Sequence, residues 1–127
     1  MEEGRDGVTN EELYERALAA ADSAYAPYSR FHVGAAVLLR DGRVITGVNV
    51  ENASYPLGMC AERCALARAV VEGARPGDVE ALGITASPCG GCRQWLLEFG
   101  VERVVFSHGG ELLVRRPDEL LPDSFEL

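Results

Sequence analysis

Short apolar runs alternating with segments of helical period predict an α/β fold, a three-layer α/β/α sandwich around a mixed sheet of about five strands. Three observations carry that expectation. Val33–Leu39 and Val44–Val50 are apolar runs flanking Asp41-Gly42, a hairpin turn signal, so they should be antiparallel neighbours. Stretches of helical spacing separate most of the remaining runs. The last two runs are separated only by Ser107–Gly110. A parallel crossover needs about a dozen residues, so the final strand must be antiparallel to its neighbour.

In chain order, residues 1–8 read as a loose acidic tail. Thr9 and Glu12 offer a capping box, and Leu13, Ala17, Ala20, Ala21 and Ala24 recur on one face, which predicts a helix over 10–25 ended by Pro27. After the hairpin, residues 51–58 hold Asn, Ser, Pro and Gly and read as a loop. A second helix should run from Cys60 to Gly73, a plausible glycine for the residue after the C-cap. Leu82–Ala86 reads as the third strand, Cys89–Phe99 as the third helix, Val101–Phe106 as the fourth strand and Glu111–Val114 as the fifth. No repeat, linker or low-complexity stretch divides the chain, so residues 1–127 are expected to form one domain.

An apolar fraction of 47% and a charged fraction of 25% belong to an ordinary globular chain. The net charge of −8 argues against nucleic acid as a partner, since phosphate binding needs a basic footprint, and it disfavours anionic membranes. No apolar run approaches the length of a membrane span, and MEEGRDG does not read as a signal peptide. A cytoplasmic location is expected. In that setting the four cysteines point to metal binding or catalysis and not to disulfides.

The chemistry concentrates in Cys60-Ala61-Glu62-Arg63 and Pro88-Cys89-Gly90-Gly91-Cys92. A glutamate two residues after one ligand, followed downstream by Pro-Cys-x-x-Cys, matches the signature of zinc deaminases, with cysteine in place of the usual first histidine. Cys60, Cys89 and Cys92 would hold the metal and leave one position open for water, while Glu62 moves protons. On a regular helix Cys60 and Glu62 would point to nearly opposite faces. Both can serve one site only if the helix starts at about Cys60, with that residue in a cap conformation. Two helix N-termini would then face the thiolates with partial positive charge. Three thiolates on a divalent zinc leave a net negative charge, which Arg63 is placed to offset. Plainer alternatives stay open: Cys64, one turn beyond Cys60, would complete a closed structural Cys₄ site in a non-catalytic module, Cys89 and Cys92 would form a redox pair, or the thiols would be small core residues.

Along nearly its whole length the chain resembles the small homo-oligomeric cytidine deaminases. The likeness rests on Pro27-Tyr28-Ser29-x-Phe31-x-Val33-Gly34-Ala35-Ala36, on Asn49-Val50-Glu51-Asn52-Ala53-Ser54-Tyr55-Pro56, and on the two cysteine motifs, the second continuing as Arg93-Gln94. The resemblance implies hydrolytic deamination of cytidine and deoxycytidine in pyrimidine salvage, with one zinc ion per subunit of a homotetramer. Asn49 and Glu51 match positions that hydrogen-bond the sugar hydroxyls, Phe31 one that packs on the base, and Ala61 one whose backbone contacts it. Tyr55 and Phe125 match aromatic residues delivered into a neighbouring subunit's site. Two departures stand out: only Thr85-Ala86-Ser87 separates Ile84 from Pro88, a shorter segment than the family's usual one, and Cys64 replaces a more usual threonine or serine. Nucleic-acid deaminases share the cysteine motifs, but their parallel fifth strand is incompatible with the short Ser107–Gly110 link. A blasticidin-type deaminase is the nearer rival, and the Asn49/Glu51 loop with Phe125 favours a plain nucleoside.

Overall fold

The computed structural model describes residues 7–125. Four α-helices, α1 (Asn10–Ala21), α2 (Ala61–Val71), α3 (Gly90–Glu98) and the short α4 (Pro117–Leu120), accompany five strands. The strands are β1 (Gly34–Leu39), β2 (Val44–Val48), β3 (Val79–Ile84), β4 (Arg103–His108) and β5 (Glu111–Arg115). They form one mixed sheet in the order β2-β1-β3-β4-β5. β1 is antiparallel to both β2 and β3, β3 and β4 are parallel, and β4 and β5 are antiparallel. The expected α/β/α sandwich and antiparallel final strand are both present.

Alternation along the strands separates the layers. Ala36, Leu38 and Ala81 join Leu13 and Ala17 of α1 on one face of the sheet. Ala35, Val37, Leu82, Ile84, Val104 and Phe106 join Ala65, Leu66 and Ala69 of α2 and Leu96 of α3 on the other. β1 is buried along its whole length, as a strand covered on both faces must be. Close approach depends on glycine: a Cβ on Gly47 would lie 2.3 Å from the Ala65 amide nitrogen and 2.9 Å from the Ala61 carbonyl oxygen. The opening turn of α2 therefore lies directly on β2. Among the described residues no helix is long and apolar enough to cross a membrane.

Local signals worked where the chemistry is local. The Thr9/Glu12 capping box is formed, with bonds of 2.8 and 3.1 Å. Gly42 and Gly73 take positive φ values at the hairpin and after α2. Element ends moved where tertiary pairing took over. α1 stops at Ala21 and not Tyr25, because the Tyr25 amide is bonded to the Asn49 carbonyl and its carbonyl to the Glu51 amide. The third strand is Val79–Ile84 and not Leu82–Ala86: it pairs with β1 from Val79 to Ile84, and Thr85 then closes the edge by bonding Gly34. The fourth strand starts at Arg103 and not Val101, since the Val101 amide caps α3 through the Leu96 carbonyl. The short α4 carried no periodic signal and was not expected from the sequence.

This topology makes the site. β2 and β3 run parallel because each is antiparallel to β1. α2 follows β2 and α3 follows β3, both on the same face of the sheet. Their N-termini therefore emerge at the same sheet edge, beyond the carboxyl ends of the strands, where open α/β sheets place ligands.

Candidate active site

Cys60 and Cys89 are the N-cap residues of α2 and α3, with extended backbone (φ −75°, ψ 155° and φ −72°, ψ 169°). The cap conformation expected for Cys60 is therefore present. It turns the thiol off the helix path, so that Glu62, two residues on, serves the same space. The sulfurs of Cys60, Cys89 and Cys92 all lie within 4.8 Å of one another, and Cys60 Sγ is 3.8 Å from Cys89 Sγ. Tetrahedral zinc with Zn–S bonds of about 2.3 Å needs sulfurs about 3.8 Å apart, so the donor set fits zinc in both chemistry and spacing. Cys64 is not in this cluster.

The three thiols differ in setting. Cys92 is fully buried, Cys60 half-buried and Cys89 exposed. Burial pushes the Cys92 thiol far up, reinforced by the Glu62 charge and by its neighbouring thiols. At Cys89 burial acts in the same direction, but hydrogen bonds from the Cys92 backbone and thiol and from Cys60 outweigh it and bring the thiol below its ordinary value. Arg63 donates from Nη to Cys60 Sγ at 3.4 Å, and its own pKa is raised, first by that bond. Its Nε is buried without a partner.

Glu62 is 3% exposed, the one buried charged side chain among the described residues. Burial raises its pKa, opposed by its own amide, by Cys92 and by Arg63. A carboxyl held this way exchanges a proton closer to neutrality than a solvated one, as an acid/base catalyst requires.

A cavity of about 730 Å³ opens over the thiols, lined by Phe31, Asn49, Glu51, Tyr55, Ala61, Glu62 and Arg63 together with Cys60 and Cys89. Phe125, 76% exposed, is not in its wall. Asn49 and Glu51 also have a structural duty that sequence reasoning missed. Asn49 Nδ2 donates to the Phe31 carbonyl (2.8 Å) while its Oδ1 accepts from the Val33 amide (2.9 Å). Glu51 accepts from the amides of Tyr28 (3.0 Å) and Ser29 (3.1 Å) and from the Ser29 hydroxyl. Hydrogen bonding to Ser29, side chain first, holds the Glu51 carboxyl below its ordinary value. These two residues thus pin the 25–33 loop along the cavity. Ser29, which bonds Glu51, and Arg93, which bonds the Pro88 and Leu120 carbonyls, had no spacing rule to single them out.

Three soft donors at two helix starts, one open side and a buried carboxylate define a metal-assisted hydrolase site on an α/β/α sandwich. The model of the cytidine and deoxycytidylate deaminase zinc-binding region matches residues 8–108. A cytidine deaminase of Mycobacterium tuberculosis is 49% identical over 91% of this chain and 88% of its own length. One from Halalkalibacterium halodurans is 45% identical over 89% of this chain and 91% of its own. The crystal structure of cytidine deaminase from Burkholderia pseudomallei superposes with a TM-score of 0.85 at 46% identity, covering 92% of this chain and 99% of that one. The chain belongs to the cytidine and deoxycytidylate deaminase family of zinc-dependent hydrolytic deaminases.

Proposed function

We propose that the chain hydrolyses cytidine and deoxycytidine at C4, giving the corresponding uridine and ammonia, as one step of pyrimidine salvage in the cytoplasm. The observation that carries this reading is the buried Glu62 beside three thiols spaced for one zinc ion. One zinc per chain would be held by Cys60, Cys89 and Cys92 and would supply the Lewis acidity that makes water a nucleophile near neutral pH.

The remaining work falls to the chain. Glu62 takes a proton from the attacking water and delivers it to N3, so that the new C4–O bond forms on an activated carbon. It then takes the proton of the new C4 hydroxyl and passes it to the 4-amino group, and the C4–N bond breaks as the C4 carbonyl forms, releasing ammonia. Arg63 offsets the surplus negative charge of the thiolates. The Ala61 backbone and the Phe31 ring hold the base, and Asn49 and Glu51 take the sugar hydroxyls. Both keep capacity for this: the Asn49 amide has a second N–H, and the Glu51 carboxylate has further lone pairs. An ammonia-release assay across cytidine, deoxycytidine, cytosine, adenosine and blasticidin tests the assignment. Turnover confined to cytidine and deoxycytidine is expected; preference for blasticidin or adenosine would overturn it.

The active species is read as a homotetramer in which Tyr55 and Phe125 complete a neighbour's pocket. Support comes from the exposure of both rings, 90% and 76%, and from the absence of Phe125 from its own chain's cavity wall, a wall to which Tyr55 does contribute. Deleting residues 124–127 should raise KM or abolish turnover with zinc retained. A fully active monomer by sedimentation would rule the assembly out.

A further inference from the structure

Arg93 is the first residue after the last thiol, and the reading of the site given above assigns it no role. Its guanidinium donates to three separate acceptors: Nε to the Pro88 carbonyl at 2.9 Å, Nη1 to the Leu120 carbonyl at 3.0 Å, and Nη2 to the Ser87 hydroxyl at 3.3 Å. The Pro88 carbonyl stands immediately before the N-cap of α3, and the Leu120 carbonyl closes α4. Helix geometry supplies a donor to neither position.

The two anchored segments are ones that packing holds poorly. Cys89 is the exposed member of the thiol cluster, and Gly90 and Gly91 after it have no neighbour within 4 Å of where a side chain would begin. Apart from the neighbouring Cys60 and Cys92, the Cys89 cap and the turn before it set where that sulfur lies. α4 has only four residues, far too few to be stable alone, and the chain leaves it towards Phe125. A planar fork with several fixed donors suits such a junction, because little further freedom is lost as each bond forms.

We propose that Arg93 is a positioning residue that holds two parts of the site in one geometry: the Ser87–Cys89 turn that presents a metal-binding thiolate, and the exit of the C-terminal segment from α4. This rests on the reading in which Cys89 binds zinc and the C-terminal segment completes a pocket. Loss of the fork disturbs metal retention and substrate affinity together, although Arg93 belongs neither to the thiol cluster nor to the cavity wall.

The test compares zinc-loaded wild type with Arg93→Gln, Arg93→Lys and a control, Arg68→Gln, which removes a side-chain bond from α2 to the Thr46 carbonyl remote from both segments. Transfer of zinc to a chromogenic chelator, KM and kcat for cytidine, and Tm are measured. Arg93→Gln should release zinc about 10-fold faster, the low end of what outer residues of a metal site contribute. Its KM should rise about 3-fold, the scale of one lost hydrogen bond. Arg93→Lys, a point charge that meets one acceptor at a time, should fall between, and it decides the matter if Arg93→Gln does not fold. Arg68→Gln should lower Tm only. Wild-type release and KM in the Arg93 variants would overturn the proposal, as would equal increases in Arg68→Gln, which would mean general loosening. Wild type that binds no zinc would instead overturn the reading of the site.

Discussion

Glu62→Ala is expected to lower kcat by about 10⁴-fold or more while the chain stays folded and keeps its zinc. General acid/base catalysis contributes about 10²–10⁴-fold per step, and Glu62 acts in more than one step, so its loss belongs at or above the upper end. The fold should tolerate the change. Glu62 is 3% exposed on the first turn of α2, and burial of its carboxyl without full pairing costs stability instead of adding to it. Glu62→Gln separates the roles more sharply still, since it keeps the volume and loses the carboxylate's charge and its capacity to take up and return a proton. Zinc content by elemental analysis, circular dichroism and single-turnover kinetics on cytidine check the prediction. A kcat within tenfold of wild type, with zinc unchanged, would remove Glu62 as the proton carrier.

Cys92→Ser should empty the site of zinc and take turnover below detection. The loss should exceed the 10–100-fold typical of residues that only support a ligand, because a soft thiolate is exchanged for a weak hydroxyl donor. Cys92 is the fully buried thiol of the cluster, and burial with the nearby Glu62 charge pushes its pKa up. It carries a proton until a cation takes that place, so zinc uptake must release protons and weaken as pH falls. Cys64→Ser is the matching control: that sulfur lies outside the cluster, and zinc and turnover should survive its removal. Retained stoichiometric zinc in Cys92→Ser would refute the three-thiol site. Lost zinc in Cys64→Ser would restore the closed four-cysteine alternative.

Much of the fold was legible because its decisive signals are local. Thr9 with Glu12, the Asp41-Gly42 turn and Gly73 act through bonds within a few residues, and each formed as the spacing implied. The Ser107–Gly110 link was equally readable, since a short connection leaves only antiparallel pairing open. Strand limits were not, because β-pairing partners lie far along the chain. Val79 belongs to β3 only because Leu39 is there to pair with it, and Val101 is excluded from β4 by a bond back to Leu96.

The site divides in the same way. Residue type and spacing by themselves pointed to Cys60, Glu62, Cys89 and Cys92 as a set suited to one zinc-centred hydrolysis, because ligand softness, cap conformation and helical period are properties of short segments. That Cys60 and Cys89 meet at 3.8 Å was decided by the sheet, which sets two parallel strands either side of β1 and starts both following helices at one edge. Tertiary structure alone also decided that Asn49 and Glu51 pin the 25–33 loop, that Gly47 lets α2 rest on β2, and that Arg93 joins the Cys89 turn to α4. Each of these is a contact between segments far apart in the chain. A side chain's partner at such range is set by where the backbone is carried, and no local preference of the residue records it.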